Sequence, residues 1–174
     1  MKIKSNYIKP KFKKEFNPKV GLLALSTDLT IERDFNSICH KLPLDIFVNR
    51  IHNVNPLTKE NLLKMYEQIE LITEKILPGE KISTIAYACT SGTIAIGEDK
   101  VKEKIQLAKP GCQVTTPITS AIKAFNKMNI KKIAVFTPYP ESVNKTISEY
   151  LIKKNIDVTS VSYTHLTLPT TPYV

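Results

Sequence analysis

The sequence predicts an α/β fold: a doubly wound parallel sheet, followed by the opening fragment of a second, similar domain. Three observations carry this. Apolar runs of strand length alternate with amphipathic stretches through five successive units, the pattern of parallel strands joined by helical crossovers. Pro78-Gly79 ends one amphipathic stretch and Pro117 opens another. The hydrophobic share, 42% of 174 residues, is enough to fill a core.

The elements follow in order. Val20–Ser26 (VGLLALS) has the continuous apolar character of a buried strand, and Thr27–Cys39 reads as a helix capped by Asp28 or Thr27. Asp45–Ile51 is the second strand. Leu57–Leu77 is the clearest helix, with Leu62, Tyr66, Ile69, Ile72 and Ile76 on one face. Ile82–Ala88 is the third strand and Gly92–Leu107 the helix after it. Gln113–Thr115 is a short strand, and Pro117–Met128 a helix with proline in its first turn. Lys132–Phe136 is a strand, Glu141–Lys154 a helix, and another strand starts at Ile156. The expected organisation is a basic, disordered or extended segment over 1–19, a first α/β domain over 20–130, and the start of a second over 131–157.

Of the net charge of +9, residues 1–19 carry +6, with seven lysines against Glu15, so the remainder carries only +3. Arg33 and Arg50 are the sole arginines, and nucleic-acid recognition usually draws on arginine forks as well as lysine. The basic segment therefore reads as a solvated tail, with a nucleic-acid arm as the alternative. No apolar run reaches the roughly 18 residues a membrane span needs, and the first residues lack the apolar stretch of a secretory signal. Cys39, Cys89 and Cys112 are too few and too irregularly spaced for a disulfide scaffold or a zinc site, and His40, His52 and His165 show no ligand spacing. A reducing, cytoplasmic setting is expected, with neither metal, membrane nor nucleic acid as partner.

Residues 158–174 differ from the rest. They hold no charged residue, and five of the 17 are threonine. At the chain's 24% charged share such a run would arise about one time in a hundred. The string SYTHLTLPT resembles translated sequencing-adapter read-through joined to a truncated frame; a native Thr/Pro-rich tail is the alternative. On the first reading the natural protein continues past about Asp157 and this chain is a fragment.

In doubly wound sheets, ligands sit at the carboxyl ends of the strands. That rule selects Ser26-Thr27-Asp28, Cys89-Thr90-Ser91-Gly92-Thr93, Thr115-Thr116 and Thr137-Pro138-Tyr139, four loops rich in hydroxyls. Cys89 ends a strand and precedes a helix, whose first amides lack internal partners and favour a thiolate. Thr90 and Ser91 add hydroxyls, and Gly92 permits close backbone approach. The bland alternative is a small buried cysteine, the reading preferred for Cys39 and Cys112. A cysteine-phosphatase loop fails because Ala95 stands where its arginine is required. A flavodoxin-like phosphate loop fails because the first loop, STDLT, carries an acid. A Cys/His pair lacks a suitably placed histidine.

The segments GLLALSTDLTIERDF, YACTSGTIAIGEDKV, VTTPITSAIKAF and IAVFTPYPESVN, in that order, resemble the aspartate/glutamate racemase superfamily. The branch is that of arylmalonate decarboxylase, maleate cis-trans isomerase and the related ectoine-utilisation proteins. The resemblance runs from about Val20 to Asp157. It implies two racemase-like α/β domains facing across a cleft, each usually offering one catalytic cysteine, with no cofactor or metal. In racemases of this group two thiols act as acid and base; in the isomerase a first-domain thiol adds to the double bond; in the decarboxylase the second cysteine protonates an enediolate.

By that resemblance Cys89 matches the first cysteine, Thr90 and Ser91 the hydroxyl donors to a carboxylate or oxyanion, and Tyr139 a further donor. Asn144 lies in the TPY…VN stretch. Asp28 stands where maleate isomerases have a substrate-binding asparagine, a departure closer to the ectoine-utilisation proteins. Catalytic candidates are thus Cys89 and Tyr139. Substrate-binding candidates are Thr27, Asp28, Thr90, Ser91, Thr116 and Asn144, with Thr116 read alternatively as a helix cap and Tyr139 as a cap on the domain junction. The expected activity is cofactor-independent, cysteine-based isomerisation or racemisation of a small carboxylate or dicarboxylate, with ectoine catabolism as a candidate setting. Alternatives are an arylmalonate-type decarboxylase and a non-catalytic carboxylate-binding protein. The second cysteine is absent from this chain, so the fragment is expected to be inactive alone. A homo-oligomer is open for a full-length form.

Overall fold

The computed structural model describes residues 7–11 and 17–163. Most of the basic segment and the tail beyond 163 lie outside the described residues.

The first strand, β1 (Lys19–Leu25), is followed by α1 (Ile31–Cys39), β2 (Asp45–Ile51), α2 (Lys59–Lys64), α3 (Tyr66–Glu74) and β3 (Thr84–Tyr87). Then come α4 (Thr90–Ile96), α5 (Glu98–Ala108), β4 (Gln113–Thr115), α6 (Pro117–Lys127), β5 (Lys132–Thr137), α7 (Glu141–Lys153) and β6 (Asp157–Tyr163). The first four strands form one parallel sheet in the order β2-β1-β3-β4; β5 and β6 form a second, two-stranded parallel sheet. The predicted doubly wound parallel architecture is what the first sheet shows. The strand β6 extends through residues 158–163, pairing Val161 with Val135 and Tyr163 with Thr137.

Alternation along the strands sorts side chains between the two faces. Leu23, Ile85 and Tyr87 point to a core with Leu62 of α2, Met65 between α2 and α3, Ile69 of α3, and Val101 and Ile105 of α5. Leu22 and Ala86 point the other way, toward Ile31 and Phe35 of α1 and Pro117 of α6. A second core gathers Ile118, Val143, Ile147, Leu151 and Ile156, with Ile94 of α4 packed against it. The ion pair of Lys154 with Glu98 ties α7 to α5. On the two-stranded sheet Phe136 is 72% exposed.

Three predicted helices differ in extent, each for a local reason. α1 starts at Ile31 instead of Thr27, because Asp28 Oδ1 accepts from the amides of Thr30 and Ile31 at 2.9 Å each. That side-chain turn replaces the first helical turn. The long second helix is divided at Met65, where the amide of Met65 bonds Leu62 and that of Gln68 bonds Met65, a tightened i to i+3 pattern. The Gly92–Leu107 helix becomes α4 and α5, separated by Gly97 at φ +101, a conformation only glycine adopts cheaply. α4 also begins earlier than predicted, at Thr90.

Candidate active site

Cys89 is the N-cap residue of α4, with φ −138 and ψ 108. Its extended backbone continues the pleat of β3, so its side chain falls on the same side as Tyr87 two residues before. Sγ accepts from the Gly92 amide at 3.2 Å and lies 3.9 Å from Ser91 Oγ. The Thr93 hydroxyl donates to the Cys89 carbonyl at 2.6 Å, locking the turn. Gly92 is sterically required: a Cβ there would stand 2.8 Å from Sγ and 2.7 Å from the Tyr87 hydroxyl.

Sγ is enclosed, with Cys89 only 4% exposed. Burial pushes its thiol up from the ordinary value, and Asp28 adds to that rise. The Gly92 amide and the hydroxyls of Ser91 and Tyr87 pull the other way without reversing it. The thiolate favoured by sequence position is therefore not the favoured form here; desolvation outweighs the amides. Tyr87 is raised by burial and by the charge on Cys89. Tyr139 is raised by the same two causes, opposed by the Ser91 hydroxyl. Cys89, Ser91, Tyr87 and Tyr139 thus form one cluster around the sulfur.

Of the remaining candidates, Asp28 bears on the sulfur through its charge. Thr90 is the first residue of α4. Asn144 is buried; it accepts from the Thr137 hydroxyl at 2.5 Å and donates to the Tyr139 carbonyl at 2.9 Å. The Tyr139 amide in turn donates to Thr137 Oγ1 at 3.2 Å, closing a small ring that sets the β5–α7 loop. Thr116 is the N-cap of α6 and forms a capping box with Thr119.

Asp28 is held below the usual carboxylate range. Burial raises it, but the amides of Ile31 and Thr30, the Thr30 hydroxyl and the Arg50 charge together lower it further. Arg50, from β2, braces the same loop by donating to the carbonyls of Leu25 at 2.9 Å and Asp28 at 2.8 Å. Thr27 is gripped by Asn53, whose Oδ1 accepts from the Thr27 amide at 3.3 Å and whose Nδ2 donates to its hydroxyl at 2.9 Å.

Sequence reasoning passed over Tyr87, Asn53 and Arg50. Tyr87 had a signal: it ends a strand two residues before Cys89 and shares its face. Asn53 lies beyond the end of β2, a carboxyl end left out of the four selected loops. Arg50 acts across strands, a relation no local pattern shows. Among the described residues no group of three or more His, Cys, Asp or Glu side chains is disposed to hold a metal, and no helix is long and apolar enough to cross a membrane.

No protein-family model and no curated protein matches the chain. Solved structures do. The maleate isomerase Iso of Pseudomonas putida superposes with a TM-score of 0.73 at 17% identity, over 85% of this chain and 64% of that one. A mutant of the Nocardia farcinica maleate cis-trans isomerase, with a covalently bound succinylcysteine intermediate, gives 0.72 at 19% identity over the same shares. The chain shares the maleate isomerase fold. Arylmalonate decarboxylase has it too, with a TM-score of 0.60 at 14% identity, over 84% of this chain and 64% of that one. The chain spans 64% of the length of each of these proteins.

Proposed function

We propose that the chain carries the first-cysteine half of a cofactor-independent isomerase or racemase acting on a small carboxylate or dicarboxylate. The observation that carries this reading is the sulfur of Cys89 held at the N-cap of α4, with the Ser91 hydroxyl 3.9 Å away and Tyr139 beside it. The covalently bound succinylcysteine intermediate of the Nocardia farcinica protein supports thiol chemistry on this fold.

Deprotonating carbon next to a carboxylate builds an enediolate, whose charge must be met by donors already in place. Ser91 and Tyr139 are such donors. A thiol kept protonated by burial is suited to giving its proton to one face of that carbon after a base on the opposite face, the role of a second thiol, has taken the original proton, so Cys89 acts first as general acid. Addition to a double bond would need the thiolate, and burial opposes it. Asp28 favours substrates with one carboxylate at the sulfur over those placing a second one at the first loop, and it alone supports a place in ectoine breakdown. Cys112 precedes β4 and Cys39 ends α1, so neither serves as a second thiol opposite Cys89. Turnover by this chain alone is therefore not expected.

The test is protection. Malonate, succinate and maleate should slow alkylation of Cys89 by iodoacetamide while leaving Cys39 unaffected. Equal rates with and without carboxylate at Cys89 would reduce it to a core cysteine.

A further inference from the structure

Tyr87, the last residue of β3, is fully buried, and its hydroxyl has no part in the chemistry proposed above. Its ring belongs to the first core, and its side chain leaves the strand on the same face as Cys89 two residues on. The point where a side chain at position 92 would begin lies 2.7 Å from the Tyr87 hydroxyl, 2.8 Å from the Cys89 sulfur and 2.8 Å from the Met65 methyl carbon. Gly92 thus lets a phenol, a thiol and a thioether close on one spot. Among the described residues the phenol's hydrogen bond goes to Met65 Sδ at 4.0 Å. A buried tyrosine usually finds a stronger acceptor than that, since a thioether accepts only weakly.

We propose that Tyr87 is a positioning residue for Cys89: its hydroxyl holds the sulfur in place and turns from Met65 to the thiolate once the thiol has given up its proton. The inference rests on the reading of Cys89 as an acid toward a carboxylate substrate. When the S–H bond breaks, the proton goes to the substrate carbon and the electron pair stays on sulfur as a buried charge. Such a charge is costly unless donors meet it. Three donors are at hand: the Gly92 amide at 3.2 Å, the Ser91 hydroxyl at 3.9 Å, and the Tyr87 hydroxyl. Ser91 is committed to the substrate's carboxylate, which leaves the amide and the phenol. A charged sulfur is a better acceptor than a thioether, so the phenol has reason to leave Met65. Burial and the charge on Cys89 both push Tyr87 up, so it keeps its proton and stays a donor throughout. The other ionisable groups that bear on the sulfur are Asp28, from the loop after β1, and Tyr139, from the loop after β5. Tyr87 differs from Ser91 and Tyr139 in being sealed in the core, out of a substrate's reach.

The test is alkylation of Cys89 by iodoacetamide at pH 8 in the full chain, resolved from Cys112 by peptide mass spectrometry. Cys112 shares the first core and is likewise buried, so its rate reads opening of the fold. Tyr87→Phe should slow Cys89 about tenfold or more, the worth of one hydrogen bond to a charged group, and leave Cys112 unchanged. A merely structural tyrosine predicts the opposite sign, because a loosened core exposes both cysteines and quickens both. Should Tyr87→Phe fail to fold, Met65→Leu carries the test. It removes the phenol's partner in the thiol form alone, so Cys89 should quicken a few-fold with Cys112 unchanged. A Cys89 rate in Tyr87→Phe at or above the wild-type value overturns the assignment, as does a Met65→Leu rate at or below it. Malonate reads the underlying site separately. It should protect Cys89 at the same concentration in wild type and Tyr87→Phe, since Tyr87 does not touch the ligand. Protection about tenfold weaker in the variant would place the phenol on the carboxylate and overturn the positioning role. Absence of protection in the wild-type chain overturns the carboxylate reading of Cys89 and the catalytic purpose of the contact, while the Tyr87→Phe rate still decides the contact itself.

Discussion

The amide of Gly92 donates to the sulfur of Cys89 across 3.2 Å, and the space a side chain at 92 would need is already taken by that sulfur and by the Tyr87 hydroxyl. The two residues define each other: glycine lets the turn close on the thiol, and the thiol caps the turn. Gly92→Ala should therefore displace Sγ and destabilise the fold by about 1–3 kcal/mol, the usual cost of overpacking. Chemical denaturation measures the loss, and a wild-type midpoint would show the turn to be looser than described.

Burial sets the titration of Cys89. Its folded-state value lies above the ordinary 9.0, so the neutral thiol is the form the fold favours. The stability it contributes is fully present below pH 9 and is lost as pH rises through the folded value. Alkylation of Cys89 should keep rising with pH above 9, where an ordinary thiol levels off. A rate that levels off near pH 7 would show a primed thiolate instead.

Much of this was legible in the sequence. The bounds of β2 and β4 were predicted to the residue, because apolar runs flanked by turn residues leave little freedom. Cys89 was legible because a cysteine between an apolar strand and Thr-Ser-Gly occupies a strand-end loop. The split at Gly97 was hidden, since one glycine inside a helical pattern is usually tolerated. The sign of the Cys89 shift was hidden too: sequence shows the helix end that lowers it, and only packing shows the enclosure that raises it. Asn53 and Arg50 act through contacts to residues more than 20 positions away, beyond any local pattern.

Asn144 bridges the Thr137 hydroxyl and the Tyr139 carbonyl while itself buried. Asn144→Ala removes the acceptor for the Thr137 hydroxyl proton and the donor to the Tyr139 carbonyl, and should cost about 1–3 kcal/mol. It should also release Tyr139 from its place beside Ser91, visible as a rise in the accessibility of the Tyr139 ring to nitration. Loss of stability with unchanged Tyr139 accessibility would separate the loop's folding from the site.

Asp28 raises the Cys89 thiol by its charge and anchors the start of α1. Asp28→Asn removes the charge and keeps an oxygen acceptor for the two amides. Alkylation of Cys89 at pH 8 should quicken by a few-fold, within the tenfold that one pKa unit allows. The carboxylate is depressed in the folded state, so its stabilisation is present above its ordinary 3.8 and lost as pH falls through the folded value. The asparagine variant should therefore show a shallower acid transition. An unchanged alkylation rate would mean that Asp28 and the sulfur do not interact.

The central claim is that Cys89, Ser91 and Tyr139 together hold a carboxylate. Carbon-13 NMR of protein labelled at the cysteine Cβ positions reads all three cysteines in one sample. Adding malonate should shift the Cys89 signal in a saturable way and leave Cys39 and Cys112 in place, and the shift should vanish in the Ser91→Ala, Tyr139→Phe double variant. A Cys89 signal that stays fixed at high millimolar malonate, or moves equally in the double variant, would contradict the account.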